Sequence, residues 1–447
     1  MAENLKLNKE FSKNTVSVGI NNVAVSIFGL LTAVILARAL GPVNQGILAL
    51  VITVADILNK FISLGTRSSV SYFINSNKYS ASRIYGTVVS SSFFLSFLLA
   101  VGVVLVYRPH LTDADFFGVA DTIYIPSFIA IFLILNFLRA NVLGVFYALE
   151  KFKIANFNNL VYFGLPSLIF IVSWPFVKIN IPLVLSIYIL NSVISLILIF
   201  KEAKKLQLNP VGKFESKLFM QILTYGLPVY YNSLSQTIQQ RAGIFVISSS
   251  LGLSHVGYFT FAYSIADKLS ELSKPLVVTH FPKVTQLQNV STKVALSFTK
   301  SILSKLAAVY LIVLIPFIVL TPLLVPVLFS DAYRPSIVPA IILSITISSW
   351  GLIGILNNFF ASCNLQLKNS IILTFGLTLN ILGLSVAYFL GLGILWISII
   401  ISLSSLANFV VQLVYIKIRF KTTLANALPD FVWVLKLISK NLMRSKL

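Results

Sequence analysis

Apolar runs of about twenty residues recur along the whole chain, close to the length an α-helix needs to cross the hydrocarbon core of a bilayer. They read as spans at 16–38, 45–65, 84–107, 121–148, 157–176, 181–200, 221–250, 256–279, 302–329, 336–362, 370–390 and 393–416, twelve in all. Inside lipid every backbone N–H and C=O must be satisfied within the element itself, so runs of this length form helices. The expected fold is an all-α polytopic membrane protein of about twelve transmembrane helices. Composition agrees, with 57% of residues apolar and 11% charged, where soluble domains carry about 25% charged residues.

A net charge of +21 would suggest a nucleic-acid partner in a soluble chain. Here its distribution follows topology instead. If the N-terminus is inside, 26 of the 34 Lys and Arg residues fall on cytoplasmic segments, and only Arg38, Arg108, Lys178 and Arg334 fall on external turns. This is the positive-inside pattern along every loop, and it places both termini in the cytoplasm. The external segment from Pro109 to Asp121 is acidic, with Asp113, Asp115 and Asp121. The basic start followed by an apolar run and Ala37-Arg38-Ala39 imitates a secretory signal, but the run is too long and further spans follow at once. A single cysteine, Cys363, excludes an intrachain disulfide and a thiolate metal cluster.

The polar stretch from Lys201 to Met220 divides the chain nearly in two. Shifting the second part back by 211 residues aligns Leu40-Gly41 with Leu251-Gly252, Gly46 with Gly257, Ala55-Asp56 with Ala266-Asp267, and Leu58 with Leu269. Both copies fall at the external turn after the first span of a half and on the span that follows. The organisation expected is therefore an N-terminal six-helix half over 1–200, a cytoplasmic linker over 201–220 and a C-terminal six-helix half over 221–421. Two such halves in the same orientation frame a central cavity. The tail over 422–447 mixes Trp433 and aliphatic residues with Lys436, Lys440 and Arg444, as an amphipathic helix on the anionic cytoplasmic surface does.

Charges inside spans carry the functional expectation, because each costs about 2.5–3.5 kcal/mol at a helix centre and so faces a wet cavity or a partner. Asp56 and Lys60 stand one helical turn apart on span two, and Asp267 and Glu271 repeat that spacing on span eight with Lys268 between them. These acids are the candidates for binding a coupling ion, Na+ or H+; the competing reading is a self-neutralised pair. On span seven, Asn232, Gln236 and Gln239 share a helical face, with Gln240 and Arg241 beside it. Amides also glue helices together, but an arginine in the stripe suits a cavity that attracts an anion, since guanidinium matches phosphate oxygens and stays charged. Arg139 on span four lines the same cavity or reaches back to the inner interface. Prolines 126, 166, 228 and 322 interrupt spans. The motifs of metalloproteases, α/β-hydrolases and P-loop nucleotide binding are missing, and the three histidines are too scattered to hold a metal. The expectation is a non-enzyme with no metal and no cofactor.

Leu36-Ala37-Arg38-Ala39-Leu40-Gly41-Pro42, then Gly46-Ile47-Leu48-Ala49-Leu50 and Leu64-Gly65-Thr66-Arg67, resembles the N-terminal signature of bacterial polysaccharide transporters. These belong with multidrug and toxic-compound extruders in one superfamily. The resemblance implies a flippase of the bacterial inner membrane that moves a polyprenyl-(di)phosphate-linked oligosaccharide by alternating access for O-antigen, capsule or exopolysaccharide synthesis. It also implies a polysaccharide polymerase and glycosyltransferases as partners, and no nucleic acid. It carries over no individual cavity residue, so Arg241, Arg139, Lys60, Asn232, Gln236 and Gln239 as cargo-binding residues rest on burial and charge alone. The competing functions are a multidrug or organic-cation antiporter, whose cavity should present carboxylates, and a peptidoglycan-precursor flippase, usually of fourteen spans. A membrane-embedded polymerase or glycosyltransferase would need a larger loop or a carboxylate constellation at the surface.

Overall fold

A computed structural model describes residues 2–75, 78–107, 124–208, 214–422 and 429 of the protein. The acidic segment around Asp113 and Asp115, and the tail beyond Thr422 apart from residue 429, lie outside the described residues. Among those described, the chain is helical and contains no strand. In order the helices are α1 (Ala2–Ser63), α2 (Thr66–Asn75), α3 (Ala81–Tyr107), α4 (Tyr124–Ala148), α5 (Phe152–Ser173), α6 (Ile181–Lys205), α7 (Ser216–Ser250), α8 (Leu253–Ala266), α9 (Ser270–Val290), α10 (Thr292–Leu328), α11 (Ile337–Ser362), α12 (Gln366–Phe389) and α13 (Ile394–Arg419).

Nine described segments are long and apolar enough to cross a membrane. The first, Asn21–Ser63, has 43 residues, about twice what one crossing needs. It is two spans, because Gly41 takes φ 70° and ψ 174° and breaks α1 into two arms. Only glycine adopts that conformation without strain, and Pro42 then opens the second arm, where its missing N–H costs nothing. With α7 and the α8–α9 pair at the places expected for spans seven and eight, the described helices account for the twelve expected crossings.

The chain divides into two compact units, Met1–Arg241 with Gly252–Gly257, and Ala242–Leu251 with Tyr258–Leu447. In the first, α3 packs on α4, α1 on α5, and α6 on both α4 and α5. A core of Phe73, Tyr85, Val142 and Phe146 joins α2, α3 and α4. Lipid tails are as apolar as these side chains, so specific association comes from close backbone approach and hydrogen bonds. Two glycine crossings supply the approach. A Cβ on Gly46 would lie 1.9 Å from the Leu253 carbonyl oxygen, and one on Gly257 would lie 2.1 Å from that of Pro42. The matched glycines of the internal repeat thus each receive the other's turn, and Gly252 is left-handed at φ 86°, as Gly41 is. At the far end of the second α1 arm, a Cβ on Gly65 would meet the Gly226 carbonyl oxygen at 2.2 Å. Ser69 Oγ donates to the Ile222 carbonyl at 2.7 Å beside it, and Arg83 grips Glu215 with both prongs of its fork, at 2.6 and 2.7 Å.

In the second unit α11 is central, packing on α9, α10 and α13, with α12 against α13. Buried amides tie these helices: Gln412 Nε2 donates to Asn369 Oδ1 at 2.6 Å and to Asn357 Oδ1 at 2.9 Å. Three elements differ from the sequence expectation. Span eight is broken by a 3-10 turn at Asp267–Leu269. The polar stretch 281–299 is helix on both sides of Ser291, whose extended backbone and Oγ, accepting from the Lys293 N–H, start α10; polarity outside lipid does not oppose helix. Pro126 does not interrupt a span, because it stands in the first turn of α4, where its missing N–H breaks no bond.

Candidate functional site

The second arm of α1 and the helix α7 bring together three of the expected residues within the first unit. Arg241 Nη2 donates to Asp56 Oδ2 at 3.2 Å. An ion-coupling candidate and an anion-binding candidate therefore form one pair. Lys60, one turn beyond Asp56 on the same arm, is the second cation acting on that carboxylate. The Arg241 and Asp56 side chains are 31% and 43% accessible. Accessible pairs of this kind contribute about 0.2–1 kcal/mol, so this one does little to hold the helices together. Asp56, Lys60 and Arg241 together carry one net positive charge. On the α7 stripe Gln239 is buried, while Asn232, Gln236 and Arg241 are partly accessible.

Arg139 is in a different setting. It is 7% exposed, and its Nε donates to Ser195 Oγ at 2.8 Å while Nη2 donates to Asn159 Oδ1 at 2.7 Å. Its guanidinium lies over the Tyr162 ring, 3.6 Å from the centroid. Ser195 Oγ in turn donates to Asn158 Oδ1 at 2.9 Å, and Tyr162 Oη donates to Asn136 Oδ1 at 2.6 Å. The cation is thus held by neutral acceptors and an aromatic face drawn from α5 and α6. Sequence reasoning singled out Arg139 but missed this cage. Its trace is visible afterwards: Asn136 lies three before Arg139, Asn158 four before Tyr162, and Asn191 four before Ser195, each one turn apart on its own helix.

The second-half acids lie on different elements. Asp267 sits in the 3-10 turn and Glu271 opens α9, where its ion pair is with Lys274 at 2.6 Å. Lys268 acts electrostatically on both acids. His280 is buried against Thr299, with ring nitrogen and hydroxyl 3.2 Å apart, and stacks on Phe298. Among the described residues no three His, Cys, Asp or Glu side chains converge to hold a metal. An apolar groove of about 270 Å³ in the second unit is lined by Val246, Ile381, Leu384 and Phe389, with Ser385 its small polar side chain.

This helical order is the fold of transporters of the MOP superfamily. A lipid II flippase, MurJ, in an inward closed conformation superposes with a TM-score of 0.66 at 14% identity, over 89% of this chain and 87% of that one. An outward-facing MATE multidrug-resistance transporter gives 0.61 at 16% identity, over 92% and 96%. A MOP transporter from Pyrococcus furiosus, described as having a binding pocket of reversed polarity that suggests a different function, gives 0.57 at 14% identity, over 92% and 95%. Among curated proteins none matches. The family described as polysaccharide biosynthesis protein matches residues 11–288, and the chain belongs to it.

Proposed function

We propose that the protein is a flippase that carries a polyprenyl-(di)phosphate-linked oligosaccharide across the cytoplasmic membrane by alternating access, for a surface polysaccharide such as O-antigen, capsule or exopolysaccharide. The observation that carries this reading is the partly accessible Arg241–Asp56–Lys60 cluster, two cations and one carboxylate on helices of mostly apolar sequence. A phosphate headgroup is the cargo such a cluster attracts, since guanidinium binds phosphate oxygens through paired donors. Membership of a polysaccharide-biosynthesis family supports the glycan, and the likeness to a lipid II flippase supports the lipid carrier. A drug antiporter for organic cations is the weaker reading, because this cluster repels cations.

Asn232, Gln236 and Gln239 on α7 are proposed to meet the sugar hydroxyls. The halves over 1–200 and 221–421 are the bodies proposed to alternate, with both termini cytoplasmic. Asp56, Asp267 and Glu271 are the residues proposed for any Na+ or H+ coupling. A polysaccharide polymerase and glycosyltransferases are the partners that would consume and supply this cargo. In a strain lacking the gene, the lipid-linked oligosaccharide should accumulate on the cytoplasmic leaflet, and surface polysaccharide should be lost. The wild-type gene should restore it and Arg241→Ala should not; unchanged surface polysaccharide in the deletion strain would refute the proposal.

A further inference from the structure

Arg139 is 7% exposed and its guanidinium stays charged in any surroundings, yet among the described residues no carboxylate pairs with it. A buried charge without compensation is costly. Its Nε donates to Ser195 Oγ and its Nη2 to Asn159 Oδ1, which leaves the N–H donors of Nη1 unbonded. The groups that hold the cation, these two oxygens and the Tyr162 ring, are all neutral. Asp56 acts electrostatically on Tyr162, but that carboxylate already answers to two cations, Arg241 and Lys60. A second donor is stranded on the same helix. Asn136 stands three residues before Arg139 on α4, so the two share a face, and both meet Tyr162. Asn136 Oδ1 accepts from Tyr162 Oη at 2.6 Å, while its Nδ2 is buried with no hydrogen-bond partner. The amides nearby are fixed by their own bonds: Asn159 Nδ2 donates to Tyr147 Oη and Asn158 Nδ2 to the Ser195 carbonyl, both at 2.8 Å. Buried donors are nearly always satisfied, so an unmet amide and an unmet guanidinium at one aromatic ring call for a shared acceptor.

We infer that this cage binds one small monovalent anion, such as chloride, between Arg139 Nη1 and Asn136 Nδ2. One uncompensated cation calls for one negative charge, and the burial of Arg139 shuts out a lipid headgroup. The anion neutralises α4 where it packs on α5 and α6, so the stability of the first unit depends on it. The site is separate from the Arg241 cluster and stands whether or not the cargo is a lipid-linked phosphate. It gives Arg139 an inorganic ligand in place of the cargo.

The test is thermal unfolding of the full chain in detergent, with sodium chloride replacing sodium gluconate at constant ionic strength. The melting temperature of wild type should rise saturably, by roughly 2–4 °C, and bromide should act as chloride does. Arg139→Gln should lose this response. Asn136→Asp keeps the acceptor for Tyr162 and brings a negative charge of its own. It should melt in gluconate where wild type melts in chloride, and should be indifferent to halide. Arg241→Ala should keep the full response, and any effect of sulfate should be equal in wild type and Arg139→Gln. Wild-type melting that halide leaves unchanged would overturn the site, as would a response that Asn136→Asp retains. A response lost in Arg241→Ala would move the anion to the other cluster and overturn the assignment to Arg139. A sulfate response that Arg139→Gln abolishes would overturn the monovalent charge. Should Arg139→Gln fail to fold, Asn136→Asp and Arg241→Ala decide between these outcomes without it.

Discussion

Two arginines sit inside apolar helices of one unit, and their surroundings assign them different tasks. Arg139 is enclosed by Ser195, Asn159 and the Tyr162 ring, whereas Arg241 is paired with the partly accessible Asp56 carboxylate. Hydrogen bonds from a charged group are worth about 1.5–3 kcal/mol, and removing the donor leaves buried acceptors unmet. Arg139→Leu should therefore cost about 2–3 kcal/mol in denaturant unfolding of the detergent-solubilised protein. Arg241→Ala should stay within about 1 kcal/mol of wild type in the same measurement, because its pair is accessible. Reversed costs would exchange the two roles. Both arginines were legible in the sequence as charges in apolar runs. Their partners were not, because Asn159 and Ser195 come from other helices, and Asp56 precedes Arg241 by 185 residues.

At the scale of elements, glycines decide where helices touch. The internal repeat marks Gly46 and Gly257, but a spacing of 211 does not say that each meets the turn of the other. Gly46→Ala places a methyl group against the Leu253 carbonyl and should cost about 1–3 kcal/mol, as overpacking does. Gly102→Ala, with nothing within 4 Å of its Cβ, is the matched control and should be close to neutral; equal thermal shifts for the two variants would dismiss the crossing. The Arg83–Glu215 tether is a second element-scale contact. The hydrogen bond from Arg83 holds the Glu215 carboxyl below its ordinary range. A lowered folded-state pKa means stability present above the unfolded value, near 4.3, and lost as pH falls through the lowered one. The gap in melting temperature between wild type and Glu215→Gln should accordingly close on acidification from pH 6 to 3. A gap constant over that range would mean that the pair contributes nothing. The 3-10 turn at Asp267–Leu269 and the short helix α2 were not legible, since an apolar run shows that a segment crosses but not where its helix breaks.

For the whole molecule, the apolar runs and the repeat made twelve crossings legible, because lipid leaves a chain few alternatives to helices of fixed length. The charge distribution adds an orientation that cysteine labelling can check after Cys363 is replaced. A cysteine at Lys178 should react with an impermeant reagent from outside, and one at Lys153 or Lys368 should not; the opposite pattern would invert the topology. The cargo is less legible than the fold, because one net charge at a three-residue cluster names a phosphate but not a sugar. The central claim is that Arg241 handles that phosphate during transport. Its direct measurement is the rate at which reconstituted protein moves a labelled polyprenyl-diphosphate oligosaccharide across liposomes, for wild type and Arg241→Ala, under Na+ and H+ gradients in turn. Wild type should transport the lipid, and a folded Arg241→Ala protein should not. Equal rates for the two, or no movement by wild type under any gradient, would contradict that claim.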